Sequence, residues 1–258
     1  MLRSEHTLIG NLRVHWRRGG AGDPLVLVHG IGVSGRYLLP TAACLVDTFH
    51  VFVPDLPGWG RSDKPARPLG VHGSAQALAG WLDEVGIERA SFLGNSMGCQ
   101  ILIDLASWSP ERVHALVLVG PTVDAEARSF VRQAFRLARD ALHEPPSLIP
   151  IVVSEYLRFG ARRFVATAQS VIADRPEDKA PLVRAPALVV RGERDTLVTQ
   201  RFAEQLATRL PLGELAVVPG GPHALNYAEP RALARLTSSF LSERSAAPSA
   251  WPPPSTGS

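Results

Sequence analysis

A serine, an aspartate and a histidine stand in this chain at points where the backbone has just left a short apolar run, and together these three residue types transfer acyl groups. Gly94-Asn95-Ser96-Met97-Gly98 fits the pattern G-x-S-x-G. With 22 glycines that pattern arises by chance roughly 0.1 times in a chain of this composition, so its setting has to carry the weight. The setting is strand, turn, helix: the apolar run 90–95 ends at the motif and a helical stretch, 97–108, begins there. A turn that lifts Ser96 above a sheet edge crowds the backbone on both sides, which is work for Gly94 and Gly98.

A serine hydroxyl is a poor nucleophile without a base. Of the eight histidines, His223 follows the run ELAVVPG in the turn GGPHALN, at the carboxyl end of a strand. A base needs an acid to fix its tautomer and to stabilise the imidazolium. Asp195, in VVRGERDTLV, follows another strand onto the same edge; Asp124, after the strand 114–120, is the alternative acid, and Asp174 and Asp178 read as solvated charges. The order Ser96, Asp195, His223 suits a nucleophile on a strand-to-helix elbow. Donors for a developing oxyanion are expected from the N–H of Met97 and that of Ile31, in the turn His29-Gly30-Ile31-Gly32, with Gly32 as the alternative to Ile31.

The elements that must hold these residues follow from the apolar runs 24–30, 50–55, 90–95, 114–120, 186–192 and 214–220, each short, rich in Val and Leu, and closed by Gly, Pro or Asp. Such runs suit strands buried on both faces, hence a parallel sheet. A hairpin around Gly10 and Asn11 precedes them, and helical segments at 74–85, 97–108, 200–210 and 229–242 alternate with them. The fold class is α/β, with eight mostly parallel strands and helices on both faces. About 65 residues separate the strand ending at Gly120 from the one starting at Pro186, far beyond an ordinary connection. Helices are expected there over 124–142, 147–158 and 160–173, forming an inserted helical cap. The first has Phe130, Val131, Ala134, Phe135, Ala138 and Leu142 on one stripe and Arg128, Arg132, Arg136 and Arg139 on another, and the apolar stripe is expected to pack inward. The expected division is a core of 1–120 and 186–243, a cap of 121–185 and a Pro- and Ser-rich disordered tail of 244–258.

Composition narrows the classes. A hydrophobic fraction of 45% supports a sizeable core, and the net charge of +3 is scattered, with no basic run to bind nucleic acid. Cys44 and Cys99 read as buried free thiols, and no Cys or His spacing marks a metal site. No run of about eighteen apolar residues offers a membrane span and no signal-like segment opens the chain, so a cytoplasmic protein is expected.

With HGIG, GNSMG, RGERD, GGPH and the loop Asp55-Leu-Pro-Gly58-Trp-Gly60-Arg-Ser62 in order, the chain resembles the α/β-hydrolase superfamily over nearly all of residues 5–243. The resemblance implies a nucleophile elbow at Ser96 and a cap over the pocket. Serine at 96 is unlike the aspartate of the haloalkane dehalogenases and epoxide hydrolases. GNSMG is similar to the elbow of the meta-cleavage-product hydrolases, but Ile31-Gly32-Val33 and Ala224 depart from their pattern, and Arg158 and Arg162 are the arginines available to hold a substrate carboxylate. The expected activity is a cofactor-independent, metal-free serine hydrolase acting on a small to medium carboxylic ester and water. Phe130, Phe135, Tyr156 and Phe159 are expected either to line its apolar pocket or to form the core of the cap. Carbon–carbon bond hydrolysis is the alternative, and a receptor-like protein with slow turnover the third. Both a monomer and a homodimer are compatible with the sequence.

Overall fold

The computed structural model describes residues 2–124 and 128–245. Strands β1 (Arg3–Ile9) and β2 (Leu12–Gly19) form the hairpin expected around Gly10 and Asn11. Then come β3 (Pro24–Val28), α1 (Leu39–Leu45), β4 (His50–Pro54), α2 (Val71–Val85), β5 (Ala90–Asn95), α3 (Met97–Trp108) and β6 (Val113–Val119). The long interval holds α4 (Phe130–Asp140), α5 (Ile149–Phe159), α6 (Ala161–Ala173) and the short α7 (Pro176–Lys179). The chain closes with β7 (Ala187–Gly192), α8 (Gln200–Arg209), β8 (Gly213–Val218), α9 (Leu225–Ala228) and α10 (Pro230–Ser245). The last helix extends two residues past the expected boundary at 243, and the remainder of the expected tail, 246–258, lies outside the described residues.

The eight strands make one sheet in the order β1-β2-β4-β3-β5-β6-β7-β8. β1 and β2 pair antiparallel, as do β2 and β4, and every other pair is parallel. Alternation along the central strands divides the core in two. Val26, Val28, Phe92, Leu116, Leu118 and Val189 face the side covered by α2, α3 and α8, whereas Leu25, Leu27, Leu93, Val117 and Val190 face the side covered by α1 and α10. All of these side chains are fully buried, which is why the runs read as continuously apolar. Each is worth about 1.5 to 3 kcal/mol of transfer free energy. The order also places β5, β6 and β7 side by side, so the loops beyond their carboxyl ends meet above the middle of the sheet.

α4 is rotated from the expected orientation. Phe130 and Ala134 of the apolar stripe face the cavity together with Gln133, Leu137 and Asp140, while Val131, Phe135 and Leu142 are 76%, 70% and 83% exposed. Polar contacts seat it: Arg136 Nη1 donates to Asp124 Oδ2 at 2.9 Å and to the Leu197 carbonyl at 3.1 Å, and Thr196 Oγ1 donates to the Arg136 carbonyl at 3.0 Å. α5 and α6 are anchored more conventionally. Phe159 stacks on Trp59 with centroids 3.5 Å apart, Arg163 Nη2 donates to the Pro65 carbonyl at 2.6 Å, and Gln100 Nε2 donates to the Val171 carbonyl at 2.9 Å. Lys179 Nζ reaches both Asp104 and Asp174, at 2.6 and 2.5 Å, tying the end of the insertion to α3. Cys99 is buried, but Cys44 is exposed, contrary to the expectation for it.

Candidate active site

Ser96 sits between β5 and α3 with φ 56° and ψ −119°, and it is the one described non-glycine residue with a positive φ. That strained conformation persists because its surroundings leave the backbone no alternative. A Cβ at position 98 would lie 2.4 Å from the Val28 carbonyl oxygen, and one at position 94 would lie 2.7 Å from Leu102 Cδ1 and 2.8 Å from the Gly98 carbonyl. Both flanking glycines are therefore required by close backbone approach. Ser96 N–H donates to the Val119 carbonyl at 2.9 Å, which pins the turn to β6. The Ser96 hydroxyl lies 3.5 Å from Thr122 Oγ1 and lines a cavity of about 430 Å³.

His223 lines the same cavity, in the turn between β8 and α9, and its Nδ1 lies 2.8 Å from Asp195 Oδ2. Asp195 is fixed from behind, since its Oδ1 accepts the N–H groups of Leu197 and Val198 at 2.8 and 2.9 Å. Arg191 clamps this turn by donating to the carbonyls of Val198 and Asp195 at 2.7 and 3.0 Å. Gly120, at the end of β6, makes room for the pair: a Cβ there would lie 2.9 Å from His223 Nδ1 and 3.2 Å from Asp195 Oδ2. Burial opposes a charge on His223, but the Asp195 carboxylate, helped by Asp140 and Glu144, outweighs it and raises the imidazolium pKa to about 9. Asp124, the alternative acid, is instead engaged with Arg136 and Thr199 Oγ1.

Met97 opens α3, so its N–H has no intrahelical acceptor. Ile31 lines the cavity opposite. Gly32 has φ 76°, and a Cβ there would lie 2.5 Å from the Tyr156 ring, so this turn and α5 are packed against each other. His29 supports the turn: Nδ1 lies 2.9 Å from the Gly30 carbonyl, and Nε2 accepts the Leu56 N–H at 3.1 Å. Burial lowers its pKa, consistent with a neutral ring. Asp55 completes the support, accepting from Gly35 N–H, Arg61 N–H and His15 Nδ1. Burial works against its charge, yet the hydrogen bonds from His15 and Arg61 hold its carboxyl below the usual range. The D-x-x-G-x-G-x-S loop is thus scaffold for the turn carrying Ile31.

Among the four aromatic residues expected in the pocket or the cap core, Phe130 and Tyr156 line the cavity. Phe159 does not, because it is consumed by its stack on Trp59. Phe135 does not either; it lies on an outer cleft with Arg136, Arg139 and His143, as the orientation of α4 requires. Arg158 and Arg162 are exposed and take no part in the cavity wall. Tyr37, Asn95, Asp140 and Glu144 are among the lining residues that were not expected. Tyr37 donates its hydroxyl to Asn95 Oδ1, while Asn95 Nδ2 donates to the carbonyls of Val119 and His223 at 3.2 and 3.3 Å. Asp140 and Glu144 enter from α4 and the turn after it, and Glu144 Oε1 accepts the Ala224 N–H at 2.7 Å. Among the described residues, no cluster of His, Cys, Asp or Glu is arranged to hold a metal ion, and no helix is long and apolar enough to cross a membrane.

A sequence model described as the alpha/beta hydrolase family matches residues 25–236. A protein of Azorhizobium caulinodans named as a carbamate hydrolase, RutD, is 25% identical, the match covering 91% of this chain and 97% of that one. The 2-hydroxy-6-oxo-6-phenylhexa-2,4-dienoate hydrolase of Burkholderia cepacia is 24% identical over 90% of this chain and 92% of its own. Among solved structures, Est816, described as an N-acyl homoserine lactone degrading enzyme, superposes with a TM-score of 0.78 at 25% identity, covering 92% of this chain and all of its own (100%). With its family sequence match spanning the strands that carry Ser96, Asp195 and His223, the chain belongs to the alpha/beta hydrolase family and is a hydrolase.

Proposed function

We propose that this hydrolase cleaves small to medium carboxylic esters through an acyl-enzyme on Ser96. The observation that carries the reading is the hydrogen-bonded pair of His223 and Asp195 opening into the same cavity as the strained Ser96. His223 Nε2 takes the Ser96 proton as Oγ attacks the carbonyl, and Asp195 holds Nδ1–H and stabilises the imidazolium. The N–H groups of Met97 and Ile31 receive the oxyanion. The tetrahedral intermediate collapses as His223 hands its proton to the leaving alcohol, and a water activated by His223 then releases the acid. Residues 121–185 act as the cap, giving the pocket its apolar wall of Phe130, Leu148, Val152, Tyr156 and Phe164. The protein works in the cytoplasm on a small molecule and water, and needs no cofactor.

Carbon–carbon bond hydrolysis is the second reading, favoured by the dienoate hydrolase among the relatives. The substrate in that relative's name is a carboxylate, and among the described residues no arginine or lysine lines this cavity. The ester reading therefore stands first. Labelling with a fluorophosphonate and turnover of p-nitrophenyl butyrate test it: both should be lost in Ser96→Ala and in His223→Ala. Labelling elsewhere than Ser96, or wild-type turnover no faster than that of Ser96→Ala, overturns it. Faster cleavage of a ring-fission dienone than of any ester promotes the second reading.

A further inference from the structure

Two carboxyl groups open into a cavity whose wall is largely apolar apart from the residues around Ser96 and His223. Asp140 ends α4 and is 2% exposed, and Glu144, one helical turn further on, accepts the main-chain N–H of Ala224, the residue after His223. The second oxygen of Glu144 is buried with no donor, and its neighbour is the Asp140 carboxyl, an acceptor like itself until one of the two holds a proton. Burial, chiefly, and then the proximity of Asp140 raise the Glu144 carboxyl to about 7, and burial raises Asp140 also. Facing them from the turn after β8 is His223, whose ring is hydrogen-bonded to Asp195 and whose charge also favours ionisation of the two carboxyls. With no lysine or arginine among the described lining residues, any net charge in this part of the cavity is negative.

Neither carboxyl takes a direct part in the acyl-transfer scheme, and the N–H groups of Thr196 on Asp140 and of Ala224 on Glu144 offset only part of the cost of burying them beside an apolar wall. Their position gives them a role that rests on the esterase reading above. In that scheme the leaving oxygen takes its proton from His223, so the groups beside His223 face the alcohol half of the substrate. We infer that Asp140 and Glu144 are specificity-determining residues that admit esters whose alcohol half is cationic or neutral and exclude those whose alcohol half carries a carboxylate. A cation reaching the pair gains a partner in a desolvated site, whereas an anion meets like charge with no counter-ion.

Three butyrate esters of matched shape test this: the 3-(trimethylammonio)propyl, the 4,4-dimethylpentyl and the 3-carboxypropyl ester. At pH 8, above the Glu144 pKa of about 7, the wild-type protein should turn over the cationic and neutral esters with kcat/KM at least tenfold above that of the anionic one. Glu144→Gln and Asp140→Asn should each shrink the cation-to-anion ratio, by about tenfold for unit charges a few ångströms apart in a partly desolvated site. The neutral ester absorbs general losses from misplacement of α4, which lower all three rates together. An unchanged ratio in both variants, or a wild-type rate on the anionic ester equal to that on the neutral one, overturns the inference. If no ester is cleaved, the esterase reading fails first. Calorimetric binding of 3-(trimethylammonio)propanol against 4-hydroxybutyrate then decides the charge preference without turnover, equal affinities counting against it.

Discussion

The side-chain amide of Asn95 donates to the main-chain carbonyl of His223 at 3.3 Å, so the residue preceding Ser96 holds the loop of the histidine opposite it. The same amide reaches the Val119 carbonyl, and its oxygen accepts from Tyr37. Asn95→Leu keeps the branching and the number of heavy atoms and abandons three polar partners in a buried site. It is expected to cost about 2 to 3 kcal/mol of stability, with kcat reduced about 10- to 100-fold and KM little changed. Urea melts and steady-state kinetics on one ester check both.

The pH dependence follows from His223. Its pKa rises from an ordinary 6.5 to about 9, and in the proposed scheme only the neutral ring accepts the Ser96 proton, so kcat/KM should climb with pH through a limb near 9. The same shift bears on stability. A histidine whose folded pKa is raised stabilises the fold fully below 6.5 and loses that contribution as pH rises through about 9. Glu144, raised from 4.5 to about 7, favours the folded state when protonated and loses that contribution over its own window. Below pH 6.5 buried His29, whose pKa is lowered, works the other way, so the two signs are read above it: the melting temperature should fall from pH 7 to pH 9.5, and Glu144→Gln should flatten the start of that fall and lower the kinetic limb. A melting temperature that rises across this range would contradict the assignment.

Two glycines separate function from folding. At position 32, φ is 76° and a Cβ would lie 2.5 Å from the Tyr156 ring, so Gly32→Ala displaces the turn carrying Ile31. The expected loss is about 10- to 100-fold in kcat, with a modest drop in melting temperature. At position 98 the added Cβ would lie 2.4 Å from a main-chain oxygen of β3, which has no room to retreat. Gly98→Ala should destabilise by about 3 kcal/mol or more, visible as loss of soluble protein or of its cooperative melt.

The two phenylalanines of the insertion that lie off the cavity wall, Phe159 and Phe135, should behave oppositely on truncation. Phe159→Ala removes a buried ring stacked on Trp59 and is expected to cost about 3 to 5 kcal/mol. Phe135→Ala, on the outer face of α4, should stay within about 0.5 kcal/mol and leave kcat/KM for a soluble ester near wild type. Parallel thermal melts separate them.

The contrast between these residues shows what the sequence can reveal. Ser96, Asp195 and His223 are legible because each follows an apolar run that stops abruptly, and in a parallel sheet those stops share one edge. α3 could be bounded correctly, at Met97 and Trp108, because the elbow starts it and Ser109-Pro110 ends it. The orientation of α4 could not. Helical periodicity says which residues share a face, not which face turns inward, and the usual preference for burying the apolar side is partly overridden here by Asp124, Thr196 and the Leu197 carbonyl, which are distant in the chain. Asp140 and Glu144 went unrecognised for the same reason: in an arginine-rich helix a carboxylate reads as a solvated charge until the turn carrying Ala224 is brought against it.

A helix seated by its polar side answers to dissolved salt differently from the body that carries it. Sulfate at high concentration strengthens apolar burial, and so the two cores on either side of the sheet. The seam beneath α4 gains nothing from that: its Arg136–Asp124 pair, with side chains 24% and 3% exposed, is only weakly screened by the same salt. One additive therefore tightens the frame and leaves the wall of the cavity as it was, so heat resistance should rise along a salt series with little change in the access of bulky esters.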